Sequence, residues 1–337
     1  MKLFETQLWL KRLAAPVLSV GLGLLAGLAQ AVTLPGPVVD TAWLAANQAE
    51  VQVFEVRANA KTFTGKPEFE TDAKSGKKVL VEAAGHLPGS RLLDMKNMRT
   101  DRKYGELTVK YMIPEMGAFE KVMQAAGADA DKPIVLVPVG TEVTDLDDAL
   151  RVYWQLKVYG EDKIAVLDGG LAAWLLEGRP FSSDAVAPRT GNWRAAADRS
   201  AQYFADSEDV AKAIASKSAT LVDARDLRQY HGLGKRDYVY AFGHLPGAKV
   251  LPPDLLTKTA GGAVKLQSPA TYRGLLAAQG IDPEKASISY CNSGHLSSGP
   301  WFVMSELLGV KGSRLYDGSL HQWTLEKRAL EGAVPLQ

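Results

Sequence analysis

The single cysteine of this 337-residue chain, Cys291, stands in the run SYCNSGHLSSGPW, residues 289 to 301. It is followed by Asn292, Ser293, Gly294, His295, Leu296 and Ser297, a mostly small and polar set directly ahead of an apolar stretch with helical spacing. A lone thiol is either an inert small hydrophobe or, as thiolate, a nucleophile. The loop favours the nucleophile. Gly294 can supply a positive φ, and a loop curled this way turns successive backbone N–H groups inward as an anion nest. A helix beginning around Ser297 to Pro300, with Ser as N-cap and Pro in the first turn, would add partial positive charge at its N-terminus. Surroundings of this kind lower a cysteine pKa from about 8.5 to roughly 3.5–7.5. The same nest would hold a persulfide, whose negative charge lies on a second sulfur beyond Sγ.

Such a loop needs a rigid element to present it. ASISY reads as a β-strand ending at Tyr290, which places Cys291 beyond a strand's carboxyl end, where open parallel sheets bind ligands. TLVDAR and SRLYDGS read as further strands, with SPATYRGLLAAQG and SSGPWFVMSELLG as helices. This alternation implies a mostly parallel sheet covered by helices.

The pattern occurs twice. VFEVRAN (53–59) matches LVDARDL (221–227), AGHLPGS (84–90) matches FGHLPGA (242–248), and VLDGGLAAW (166–174) matches LYDGSLHQW (315–323). The offset shrinks from 168 (Arg57 to Arg225) to 158 (His86 to His244) to 149 (Asp168 to Asp317), so the first copy carries extra residues in two loops. The polar segment 64–78 is the expected site of one of them. Residues 32–181 and 200–337 are therefore read as two domains, joined by a breaker-rich linker over 182–199. The first copy has Pro138, Val139 and Gly140 where the thiol would stand, followed by the acid-rich TEVTDLDDA. Carboxylates there would oppose an anion, so this copy is expected to be a non-catalytic partner shaping one wall of a cleft.

In their order and their repetition, LVDAR, GHLPGA, the C-x-x-G loop CNSGHL and YDGSLHQW resemble the tandem-domain rhodaneses, the thiosulfate and mercaptopyruvate sulfurtransferases. The likeness covers nearly all of the chain after residue 31. It implies an α/β fold, two domains each with a five-stranded parallel sheet flanked by helices, and sulfane-sulfur transfer through Cys291. It also implies a small anionic donor such as thiosulfate and a thiol, cyanide or protein acceptor, with no cofactor. In the family a cation just before the tyrosine of the DLRQYHGLGKRDY segment binds the substrate's anionic group; here that position is Gln229, with Arg228 beside it and Lys235 and Arg236 beyond. Arg225, paired with Asp223 as Arg57 is with Glu55, reads as a sheet brace that could also touch the loop. His86 and His244 read as fold residues. His295 would matter if it faces the cleft, through protonation near an anion or proton exchange with substrate. Ser293 resembles the loop of mercaptopyruvate enzymes, whereas thiosulfate enzymes carry basic loop residues; Asn292 and His295 match neither. A cysteine phosphatase would need Arg six residues after the thiol, and position 297 is Ser. A non-turnover sulfur carrier would need the same nest.

Lys plus Arg (39) nearly balance Asp plus Glu (38), which gives no global field for nucleic acid or an anionic membrane. Before the repeats, Lys2, Lys11 and Arg12 precede an apolar run ending in Ala29-Gln30-Ala31, the small-x-small form of a signal-peptidase site. Residues 1–31 are read as a cleaved export signal rather than a membrane anchor. The expected product is a periplasmic protein with no stable membrane association.

Overall fold

The computed structural model describes residues 32–332; the export signal read at 1–31 lies outside them. The chain from Val32 onward folds as one compact unit around two parallel sheets. The first contains β1 (Val38–Val39), β2 (Gln52–Arg57), β3 (Arg91–Asp94), β4 (Ile134–Val137) and β5 (Ile164–Leu167) in the order β1-β5-β4-β2-β3. The second contains β6 (Phe204–Ala205), β7 (Thr220–Asp223), β8 (Lys249–Val250), β9 (Ser287–Tyr290) and β10 (Ser313–Tyr316) in the equivalent order β6-β10-β9-β7-β8. The inner strands IVLV and IAVL are buried at every position, as helix-covered parallel sheets require.

The repeated pairs brace the strand ends. Arg57 binds Glu55 and donates to the Gly85 carbonyl at 2.7 Å, and Arg225 binds Asp223 and donates to the Gly243 carbonyl at 2.8 Å. His86 stacks on Phe63 and His244 on Tyr230, so both histidines are packing residues. The segment expected as a loop excursion is instead largely an antiparallel ribbon, Glu68–Thr71 against Lys78–Glu82. The stretch between the halves is irregular yet fixed: Trp193 is buried and its Nε1 donates to Glu161 at 3.0 Å.

Four helices position the site: α1 (Val143–Val158), α2 (Leu227–Tyr230), α3 (Ser298–Phe302) and α4 (Ser319–Leu325). A capping box formed by Glu142 and Asp145 starts α1. The helix has almost no solvent face, because it lies against α3 across the junction of the halves. Tyr153 meets Phe302 edge-on at 4.9 Å, and Trp154, Trp301 and Phe302 are fully buried in a core drawn from both sheets. Each such side chain contributes about 1.5–3 kcal/mol of burial, which ties the halves into one body. The halves also exchange ribbons. Thr100–Tyr104 with Leu107–Met112 reaches the second half, where Ile113 N donates to Asp317 Oδ2 at 2.7 Å. Thr257–Ala260 with Ala263–Leu266 reaches back, and Leu266 N donates to Asp168 Oδ1 at 2.9 Å.

Candidate active site

Cys291 follows the last residue of β9, at the carboxyl end of the second sheet, and is 2% exposed. Backbone bonds tie its loop to α4: the Cys291 carbonyl accepts from Leu320 N at 3.2 Å and the Asn292 carbonyl from His321 N at 2.9 Å. Ser319 Oγ accepts from both Cys291 N (3.1 Å) and Gly294 N (3.0 Å) while donating to the Tyr316 carbonyl. Gly294 has φ +72°, and a Cβ there would lie 2.5 Å from the Asp317 carbonyl oxygen. With those two amides taken by Ser319, the amides of Asn292, Ser293, His295 and Leu296 have no protein acceptor among the described residues. These N–H groups are the ones available to an anion at the loop.

The helix after the loop differs from expectation. Only Ser298–Phe302 is α-helical, a π-turn follows over Val303–Leu307, and Ser297 makes no capping bond. Ser298 Oγ donates to the His295 carbonyl instead. The positive environment therefore comes from loop amides and side chains more than from a helix dipole.

Those side chains come from the first half. Arg151 of α1 donates to the Gly294 carbonyl at 2.8 Å and forms a fully buried pair with Asp317 at 2.5 Å. Arg99, just before the ribbon of Thr100–Tyr104 and Leu107–Met112, donates from Nη2 to the Ser293 carbonyl (2.7 Å) and Oγ (2.9 Å), and from Nε to the Tyr111 carbonyl. Burial above all, then Arg151, lowers its guanidinium to about 10, while Asp317 and charge at Cys291 oppose the shift. Two of the acids read as flanking the first half's empty loop, Asp147 and Asp148, face this one. Burial, then Cys291 and Asp148, push Asp147 well above the usual carboxylate range. Asp148 Oδ1 lies 2.9 Å from His295 Nε2, although the angle is poor for a hydrogen bond. Burial lowers the His295 imidazole against the pull of Asp148. Arg99, Lys96, Tyr111, Asp148 and His295 line a cavity of about 470 Å³ between the halves.

The other expected contacts are distributed differently. His295 faces the cavity, Leu296 is half-buried, and its carbonyl accepts from Gly299 N. Gln229 Oε1 accepts from Asn292 Nδ2 at 2.9 Å, so it holds the loop. Arg225 stays with Asp223 and Gly243 and makes no bond to the loop. Arg228 is exposed and lies against Gly234, Lys235 sits 5.6 Å from the Phe242 ring centroid, and Arg236 is exposed. None of these three lines the cavity. Sequence reasoning missed Arg99, Arg151, Asp147, Asp148 and Ser319. The repeated DGG/DGS motif marked Ser319, and charges on a helix without a polar face marked the α1 residues. Nothing local marked Arg99.

Residues 206–326 match the model of the rhodanese-like domain. A relative from Mycolicibacterium smegmatis, named "Putative thiosulfate sulfurtransferase", is 32% identical over 279 residues, covering 78% of this chain and 93% of the relative. The chain belongs to the rhodanese family. It is accordingly a rhodanese-type sulfurtransferase, a class whose members take sulfur from a donor and pass it to an acceptor. A second relative, the sulfur carrier protein TtuD of Thermus thermophilus, is 29% identical over 73% of this chain and 84% of its own length. The rhodanese fold of SseA from Escherichia coli, a 3-mercaptopyruvate sulfotransferase, superposes with a TM-score of 0.66 at 23% identity, covering 84% of this chain and 98% of that one.

Proposed function

We propose that this rhodanese moves sulfane sulfur from thiosulfate to a thiophilic acceptor through a persulfide on Cys291. The supporting observation is the juxtaposition of the chain's one thiol with unpaired loop amides at a sheet's carboxyl end, beside a cavity carrying an arginine. In the first step the Cys291 thiolate attacks the outer sulfur of thiosulfate. The new Sγ–S bond forms as the donor S–S bond breaks, and its electron pair leaves with sulfite. The amides of Asn292, Ser293, His295 and Leu296 are placed to stabilise the persulfide anion, as oxyanion holes stabilise developing charge. In the second step a thiolate or cyanide attacks the outer persulfide sulfur and the Cys291 thiolate leaves.

Two features favour other substrates. Ser293 and the lack of Lys or Arg in the loop suit 3-mercaptopyruvate as donor, and the likeness to a sulfur carrier protein suits a protein acceptor. Steady-state assays with thiosulfate and 3-mercaptopyruvate, beside Cys291→Ala, separate these readings. Turnover with thiosulfate that vanishes in the variant supports the proposal. Turnover with 3-mercaptopyruvate alone assigns the donor differently, and one stoichiometric transfer without turnover indicates a carrier. We propose further that residues 1–31 direct export; a mature N-terminus at Val32 in periplasmic extract is the result expected.

A further inference from the structure

The expected donor-binding cations, Arg228, Lys235 and Arg236, do not line the cavity beside the thiol loop. The fixed charges that do are Lys96, Arg99, Asp101 and Asp148; Lys96 and Asp101 are exposed, and Asp148 is faced by His295. Arg99 differs from the other three. It is packed between the Tyr111 ring, 4.8 Å from its guanidinium carbon, and the Cys291 loop. Its bonds go only to carbonyls and one hydroxyl. Asp317, a carboxylate whose charge reaches it, is already paired with Arg151. Among the described residues Nη1 has no acceptor and no carboxylate forms an ion pair with Arg99. A largely desolvated guanidinium without a counter-ion is costly unless an anion completes it. A fork with two nitrogens already fixed is oriented in advance for an oxyanion.

We propose that Arg99, from the half without the thiol, binds the anionic end of the sulfur donor and stabilises the leaving anion. This rests on the sulfurtransferase reading of Cys291 and adds which residue selects a charged donor. The first half then supplies donor recognition and the second half the nucleophile.

The test compares Arg99→Met and Arg99→Lys with wild type on thiosulfate and on an uncharged dialkyl trisulfide, which the Cys291 thiolate opens by displacing an alkylthiolate or alkylpersulfide to leave a mixed adduct. Loading is followed by intact mass, as one added sulfur from the first donor and as that adduct from the second. The expected result is a rise in thiosulfate KM of about 10- to 100-fold in Arg99→Met, a smaller rise in Arg99→Lys, and loading from the trisulfide within threefold of wild type. Loss of loading from both donors in both variants, with unchanged thermal melts, would make Arg99 a loop brace and overturn the proposal. So would an unchanged thiosulfate KM in Arg99→Met, or a KM loss found in Arg236→Met instead. Wild type that loads from neither donor would overturn the persulfide reading itself, and this assignment with it.

Discussion

The two halves make the same turn at the same sheet edge and fill it with opposite chemistry. In the first half the carbonyls of Pro138 and Val139 accept from Leu171 and Ala172; in the second those of Cys291 and Asn292 accept from Leu320 and His321. Pro138 thus occupies the thiol's place. After it Thr141 and Glu142 donate to Asp145 and start the 16-residue α1, whereas after Cys291 the amides of Asn292, Ser293, His295 and Leu296 stay unpaired among the described residues and only five residues are α-helical. A third difference lies behind the loops. Gly170 and Ser319 are equivalent, and both are left-handed, at φ +55° and +48°. A serine held there costs roughly 1–2 kcal/mol that glycine avoids. The second half keeps it because its hydroxyl accepts from Cys291 N and Gly294 N. Backbone strain in the thiol-bearing half is thus coupled to loop order, and the first half, with nothing to order, relaxes.

The comparison breaks most severely at Gly294. Gly294→Ala would put a Cβ within 2.5 Å of Asp317 at a positive φ. Sulfur transfer is expected to fall at least about 100-fold, with a loss of roughly 1–3 kcal/mol in a denaturant melt. Next is Ser319→Gly, which installs the first half's residue. It relieves the strain and removes the hydroxyl together, so the melting temperature should change little while kcat falls about 10-fold or more. A large drop in both would place the hydroxyl's role in folding instead.

Smaller effects test the acids that α1 turns toward the thiol loop. The folded state holds Asp147 above its ordinary range, so its carboxyl favours the fold below the unfolded aspartate pKa of about 3.9 and disfavours it as pH rises beyond. Asp147→Asn should therefore raise stability by about 1 kcal/mol or more at neutral pH, about 2–4 °C by calorimetry, with the gain vanishing near pH 3. Asp148→Asn removes a carboxylate from the cavity and should lower thiosulfate KM by about two- to threefold, less as salt is added.

These contrasts separate what the sequence carries from what packing adds. The doubled sheet was legible because its strands, braces and GHLPG turns are local motifs written twice. Gly294's positive φ was legible from the turn it must make, and the loss of the thiol in the first half from Pro138. The source of the loop's charge was not. Asp147, Asp148 and Arg151 are neighbours of the empty loop in sequence, yet helix-on-helix packing delivers them to the other loop. Arg99 reaches Ser293 across 194 positions through a ribbon exchanged between the halves. The cations of Cys291's own half, from Arg228 to Arg236, turn to surface or to Phe242, while the excursion holding them is pinned to α4 through the Tyr238 carbonyl at His321 and Tyr240 N at Thr324.

The most direct measurement is intact mass of the purified protein after thiosulfate, with the site mapped by peptide fragmentation. The account predicts one added sulfur per chain, on Cys291, removed by cyanide and absent from Cys291→Ala. An unchanged mass, or added sulfur that persists in Cys291→Ala, would contradict it.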